Sequence, residues 1–128
     1  MATSGKILYV EDEQDIRTIA RLSLEKIGGF TVNICGSGEE ALDVVADFKP
    51  DIILLDVMMP EMDGLETYRA LREIPACVDI PVVFMTARVQ AHEIKQYQQL
   101  GAIDVISKPF SPMTLAEHVK TILEKIDD

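Results

Sequence analysis

Cysteine is scarce: 128 residues contain two, Cys35 and Cys77. Two cannot build a disulfide framework, and they predict reduced thiols in a cytosolic protein. Positive charge is short as well, with 12 Lys and Arg against 22 Asp and Glu and a formal net charge of -10. A surface that acidic repels nucleic-acid phosphate and anionic lipid, so neither nucleic acid nor membrane is expected as a direct partner. No apolar stretch approaches the roughly 20 residues of a membrane helix. The first apolar run, Ile7-Leu8-Tyr9-Val10, is too short for a signal sequence. These absences predict a cytoplasmic chain. What is present is the balance of a folded globular protein, 48% hydrophobic and 27% charged residues. The length suits one domain with one core, expected to span residues 1–128.

Short apolar runs alternate with helical patterns along the whole chain. The runs are Ile7 to Val10, Phe30 to Cys35, Ile52 to Leu55, Val82 to Met85 and Ile103 to Ile106. Four are nearly continuous apolar blocks, the signature of parallel strands covered on both faces. In the second, Phe30, Val32 and Ile34 alternate with Thr31, Asn33 and Cys35, which predicts an edge strand with one wetter face. Ile16, Ile19, Ala20, Leu24 and Ile27 form a helical stripe that stops at Gly28-Gly29. Ser37-Gly38-Glu39-Glu40 fits a capping box, Asp63-Gly64-Leu65-Glu66 resembles one, and Ser111-Pro112 supplies an N-cap before a proline. The fourth helix, around Gln90 to Gln99, has only Ile94, Tyr97 and Leu100 as anchors and is expected to be weakly held. Repeats, low-complexity tracts and linkers are absent. Five strand–helix pairs in series predict an α/β fold, a doubly wound five-stranded parallel sheet.

In such sheets chemistry gathers beyond the carboxyl ends of the strands. The first strand delivers Glu11 and Asp12, the third ends in Asp56, the fourth in Thr86, and the fifth reaches Lys108. Three clustered carboxylates repel one another unless a cation intervenes, and one lysine is too little compensation. A hard divalent ion with oxygen ligands resolves the conflict, and Mg²⁺ suits one or two carboxylates plus water and phosphate oxygens. Asp56 could then act as a nucleophile on phosphorus and form an acyl phosphate, with Thr86 and Lys108 holding phosphoryl oxygens.

At this point the chain resembles a receiver domain of a two-component response regulator. The matching blocks run in order: Ile-Leu-Tyr-Val-Glu11-Asp12-Glu13, Leu-Leu-Asp56-Val-Met-Met-Pro60, Met-Asp-Gly64, Phe-Met-Thr86-Ala87 and Ser-Lys108-Pro109-Phe110. The resemblance implies the (βα)5 flavodoxin-like receiver fold, in one receiver domain over 1–128 with no effector domain. It implies that Asp56 takes a phosphoryl group from a phosphohistidine on a histidine kinase or histidine phosphotransfer protein. It implies that Glu11, Asp12, Asp56 and the backbone carbonyl of Met58 hold Mg²⁺, and that the Lys108-Pro109 peptide is cis. Met58 and Arg88 would tune the lifetime of the acyl phosphate. A phosphoacceptor with self-catalysed transfer and autodephosphorylation is implied, rather than a turnover enzyme. Its output would be a switch of the fourth helix, fifth strand and fifth helix, read by a downstream protein. A monomer is expected, with dimerisation on phosphorylation left open. One departure stands out: receivers usually carry Tyr or Phe three residues before the lysine, where this chain has Val105. Val105 favours a phosphorelay shuttle or phosphate sink as the alternative role, since a shuttle has less need of an aromatic switch.

Other readings are weaker. An aspartyl-phosphate phosphatase wants a second acid two residues after the nucleophile, where Met58 stands. A flavin or nucleotide binder needs a Gly- or Ser/Thr-rich loop after the first strand, and Glu11-Asp12-Glu13 is its electrostatic opposite. His92 and His118 sit on separate helices without a carboxylate at ligand spacing and are expected to be surface or structural. Cys77, in the loop Ile74 to Asp79, is expected to be exposed but unreactive for want of a basic neighbour. The six Met residues read as core filler rather than a binding surface.

Overall fold

The computed structural model describes residues 5–59, 63–87 and 90–127. Five strands, β1 (Lys6–Val10), β2 (Thr31–Cys35), β3 (Ile52–Asp56), β4 (Val82–Thr86) and β5 (Asp104–Ser107), form one parallel sheet in the order β2-β1-β3-β4-β5. The order doubles back at β1, so the chain winds once toward β2 and then away through β3, β4 and β5. Right-handed crossovers then put helices on both faces. β3 and β4 are buried at every position, which is why they read as unbroken apolar blocks. β2 lies at the edge, as its alternation predicts, with only Cys35 fully buried.

The pleat divides the core into two layers. On one face Leu8, Val10, Ile53, Leu55 and Phe84 pack against α2 (Gly38–Phe48) and α3 (Gly64–Arg72). On the other, Ile7, Tyr9, Leu54, Val83 and Met85 meet α1 (Gln14–Arg21) and α5 (Pro112–Asp127). Each fully buried Leu or Ile contributes about 1.5–3 kcal/mol relative to exposure, so alternate strand residues supply both layers. The caps follow the sequence with one variation. Asp63 and Glu66 close a full capping box, each side chain accepting from the other's backbone amide. Ser37 accepts from the Glu40 amide, but the Glu40 carboxylate takes the Gly36 N–H rather than that of Ser37. Ser111 caps α5 through the Thr114 amide, with Pro112 at the first helical position.

Several local expectations fail. The block Ile103 to Ile106 reads as a strand covered on both faces, but β5 is the second edge strand: Ile103 is exposed and only Ile106 is fully buried. Met59 and Met85 fill the core, whereas Met58 and Met113 are exposed. The stripe drawn through Ile16, Ile19, Ala20, Leu24 and Ile27 assumes one uniform helix, but α1 passes at Leu22–Ile27 into a wider π-helical turn. The wider turn shifts the face beyond it: Ile27 is exposed, whereas Ser23 is buried and donates to the Pro112 carbonyl at the head of α5; Ile19, in the regular helix before it, is exposed as well. Cys77 is buried, not exposed: it sits in a 3-10 turn, Pro75–Cys77, folded inward by the Arg72 guanidinium on the Cys77 and Ile80 carbonyls. Burial raises the Cys77 thiol pKa, against the opposing pull of Arg72. The helix α4 (Ala91–Leu100) buries no residue fully, as its thin stripe predicts. It is held by the Tyr97 ring edge-on to Phe84 at 5.3 Å and by the Tyr68 hydroxyl on the Leu100 carbonyl. Among the described residues no helix is long and apolar enough to cross a membrane.

Candidate functional site

Parallel strands end in register, so whatever follows their last residues is delivered to one edge of the sheet. β1 stops at Val10, and the Glu11 amide bonds to the Cys35 carbonyl at the end of β2. That bond turns Glu11 inward, where it is fully buried, and leaves Asp12 half-buried behind it. Asp56 is the last residue of β3, paired with Met85, and is 1% exposed. Thr86 closes β4 and is equally buried. The Lys108 amide bonds to the Thr86 carbonyl at 2.9 Å and starts the loop after β5 beside it. The Lys108-Pro109 peptide is cis, as the resemblance implies.

The side chains converge. Carboxylate oxygens of Glu11, Asp12 and Asp56 all lie within 4.8 Å of one another. The Lys108 ammonium bridges two of them, donating to Glu11 Oε1 at 3.1 Å and Asp56 Oδ2 at 3.2 Å. The other Asp56 oxygen, Oδ1, accepts the Met58 amide at 3.1 Å, so the carboxylate is fixed at both ends. Met58 itself points its side chain into solvent. Arg88 and Pro60 lie outside the described residues.

One ammonium does not balance this cluster. Burial, then the charge of Asp56, pushes the Glu11 carboxyl up to about 7, although Lys108 pulls the other way. Burial works against the Lys108 ammonium, but its bonds and charges with Glu11 and Asp56 outweigh that and leave its pKa above the ordinary lysine value. A buried acid held near neutrality beside a second buried acid signals a deficit of positive charge. Three hard oxygen donors around one small volume fit Mg²⁺, with open positions left for water and phosphate oxygens.

Tyr9, expected only as a strand residue, reaches the site from below. Its buried hydroxyl donates to Glu11 Oε1 at 3.4 Å, and burial beside Glu11 and Asp56 raises its pKa well beyond the usual phenol value. The signal was its position two residues before the first acid, which in a strand puts both side chains on one face. His118 is not isolated: the fold brings Asp104 to 2.9 Å from its Nε2, and the pair bridges β5 and α5. His92 stays exposed on α4. Val105 lies opposite Phe84 in register and is half-buried. It lines an open cavity of about 460 Å³ with Ile94, Phe110, Leu115 and His118.

A family model for the response regulator receiver domain matches residues 7–120 of this chain. The chain belongs to that family. Receivers are phosphoacceptor switches of two-component signalling rather than turnover enzymes, and they generally bind Mg²⁺ at an acidic pocket. The receiver is 37% identical over 125 residues to the probable transcriptional regulator ycf27 of Guillardia theta, covering 98% of this chain and 48% of that protein. It is 39% identical over 120 residues to the alkaline phosphatase synthesis transcriptional regulatory protein PhoP of Bacillus subtilis, covering 94% and 49%. The receiver thus spans about half the length of these curated relatives. Among solved structures it resembles the chemotaxis response regulator CheY4 of Vibrio cholerae, with TM-score 0.85, 28% identity, and 93% and 98% of the two chains covered. It also resembles the signal receiver domain of a histidine kinase from Syntrophus aciditrophicus, with TM-score 0.80, 34% identity, and 95% and 92% covered.

Proposed function

We propose that Asp56 is the phosphoacceptor of this receiver and that it takes its phosphoryl group from a phosphohistidine donor in a Mg²⁺-dependent reaction. The observation that carries this reading is the Asp56 carboxylate, buried at the end of β3 between Lys108 and the acids Glu11 and Asp12. An Asp56 oxygen attacks phosphorus; the P–N bond to the donor imidazole breaks, and its electron pair stays on that nitrogen. Lys108, already on Asp56 Oδ2, moves its ammonium onto a phosphoryl oxygen as negative charge builds there. Thr86, at the end of the neighbouring strand, offers its hydroxyl to a second phosphoryl oxygen. Glu11, Asp12, Asp56 and the Met58 carbonyl would hold the metal. Bound there, Mg²⁺ supplies positive charge to the transferring phosphoryl group.

Phosphorylation adds roughly two negative charges beside Thr86 and Lys108. α4 is the element such a change moves most easily, since it buries no residue fully and leans on Phe84 two residues before Thr86. In our reading a partner protein reads the α4-β5-α5 face, and the donor is a histidine kinase or histidine phosphotransfer protein. The structural likeness to the chemotaxis response regulator CheY4 supports an output role for this receiver. Val105 supports a second role, a phosphorelay shuttle, because no aromatic ring at that position reports the state of Thr86.

The test is transfer from a radiolabelled phosphohistidine domain to wild type and Asp56→Asn, with Mg²⁺ and with chelator. Label on wild type alone, and only with metal, supports the reading; equal label on Asp56→Asn overturns it. Return of the label to an unphosphorylated phosphotransfer protein favours the shuttle, whereas a target complex formed only after phosphorylation favours the output switch.

A further inference from the structure

Glu11 and Asp12 sit in a short turn, residues 11–13, between the end of β1 and the start of α1. The sheet holds one end of this turn through the Glu11 amide on the Cys35 carbonyl, and the helix holds the other through the Glu13 carbonyl, but neither engages the Glu11 and Asp12 carbonyls between them, and metal ligands must be held to within about 0.5 Å. Arg17, one turn into α1, reaches back over this loop. Its Nη1 donates to the Glu11 carbonyl at 2.8 Å and to the Asp12 carbonyl at 2.9 Å. Its own amide bonds to the Glu13 carbonyl at 3.0 Å, so one residue engages three successive carbonyls. The guanidinium passes close to Gly36, after β2, where an added Cβ would lie 3.2 Å from Nη1. The loop after β2 thereby forms one wall of the slot.

We propose that Arg17 is a positioning residue for the metal site, holding the backbone of Glu11 and Asp12 so that their carboxylates meet Asp56 with the separation a divalent cation requires. This rests on the Mg²⁺ site argued above. Arginine suits the task because it is always charged and its planar head donates in fixed directions, giving short, charge-assisted bonds to both carbonyls. It touches neither metal nor phosphate and acts through the loop.

The sign of the effect separates positioning from charge. If Arg17 acted on the site only as a nearby cation, removing it would strengthen Mg²⁺ binding by relieving repulsion. If it positions the ligands, removal weakens binding, by about tenfold or more, as for other groups that orient metal ligands. The experiment is calorimetric titration of MgCl₂ into wild type, Arg17→Met, Arg17→Lys and Gly36→Ala, at a temperature where circular dichroism shows each folded. We expect Arg17→Met to bind at least about tenfold more weakly and Arg17→Lys, which keeps a cationic donor but lacks the planar guanidinium, to fall between it and wild type. Gly36→Ala should weaken binding a few-fold in wild type and not at all in Arg17→Met, since it acts by displacing the guanidinium. Equal or tighter binding by Arg17→Met, with wild type binding normally, overturns the inference and leaves the metal site standing. Should Arg17→Met fail to fold, undiminished affinity in both Arg17→Lys and Gly36→Ala overturns it equally. No Mg²⁺ binding by wild type overturns the metal site and this inference together.

Discussion

Replacing Gly64 by alanine should damage both the stability and the chemistry of this receiver. Gly64 opens α3, and its amide bonds to the Val57 carbonyl, so the helix terminus lies directly on the peptide that follows Asp56, the proposed acceptor. A Cβ there would stand 2.3 Å from the Asp56 carbonyl oxygen and 2.7 Å from Val57 Cα. Ordinary contacts lie at about 3.5 Å, so relief needs a shift of roughly 1 Å. Both obstacles are backbone, and no side chain can swing away. Overpacking of this kind costs about 2–3 kcal/mol, or about 8–12 °C in melting temperature at this chain length. A 1 Å displacement of a reacting group costs about 100-fold in rate, so phosphorylation at Asp56 should slow by that order. The control is Gly29→Ala: Gly29 has φ 74 with nothing near the added methyl, so it carries backbone strain alone. That strain is worth about 1–2 kcal/mol and lies far from the acceptor, so phosphorylation should be unchanged. Thermal melts and phosphoryl uptake from acetyl phosphate measure both effects. If Gly64→Ala melted within about 2 °C of wild type and reacted at the same rate, the packing of α3 onto the acceptor peptide would be refuted.

Lys108→Met leaves the buried Glu11 and Asp56 without their ammonium. Metal-free stability at pH 8 should fall by about 3–5 kcal/mol, while Mg²⁺ binds more tightly because a competing cation is gone; urea titration and calorimetry measure the two. The Glu11 carboxyl, raised from its ordinary value to about 7, prefers its neutral form in the fold. Its contribution to metal-free stability is therefore complete below about pH 4.5 and is lost as pH rises toward 7, on the order of 3 kcal/mol. Saturating Mg²⁺ or Glu11→Gln should flatten that slope in urea midpoints taken from pH 5 to 8. Tyr97→Ala removes the edge-on contact with Phe84 and should cost about 1–2 kcal/mol. Hydrogen exchange should then quicken in α4 and remain unchanged in α5.

Much of this receiver was legible in its sequence because its three central strands, β1, β3 and β4, are buried on both faces. Blocks such as Ile52 to Leu55 admit little else, and parallel strands of four or five residues deliver Glu11, Asp56, Thr86 and Lys108 to one edge. What escaped depends on side-chain contacts that no periodic pattern encodes, whether near or far in sequence. The π-helical turn at Leu22–Ile27 breaks the period that placed Ile27 inside, and in it Ser23 docks onto the Pro112 carbonyl instead. Cys77 is inside because Arg72 holds its turn, a pairing no local pattern announces. His118 finds Asp104, and Tyr9 finds Glu11, once the sheet and α5 are assembled. The weak hold on α4 was legible, since it follows from composition alone.

The most direct test of the central claim is the intact mass of wild type and Asp56→Asn after acetyl phosphate treatment, with Mg²⁺ or chelator present and beryllofluoride binding measured in parallel. The account predicts one phosphoryl group on wild type, dependent on metal and localised to Asp56 by fragmentation, and none on Asp56→Asn. A phosphoryl group of equal yield on Asp56→Asn, or neither phosphoryl uptake nor beryllofluoride binding by wild type, would contradict it.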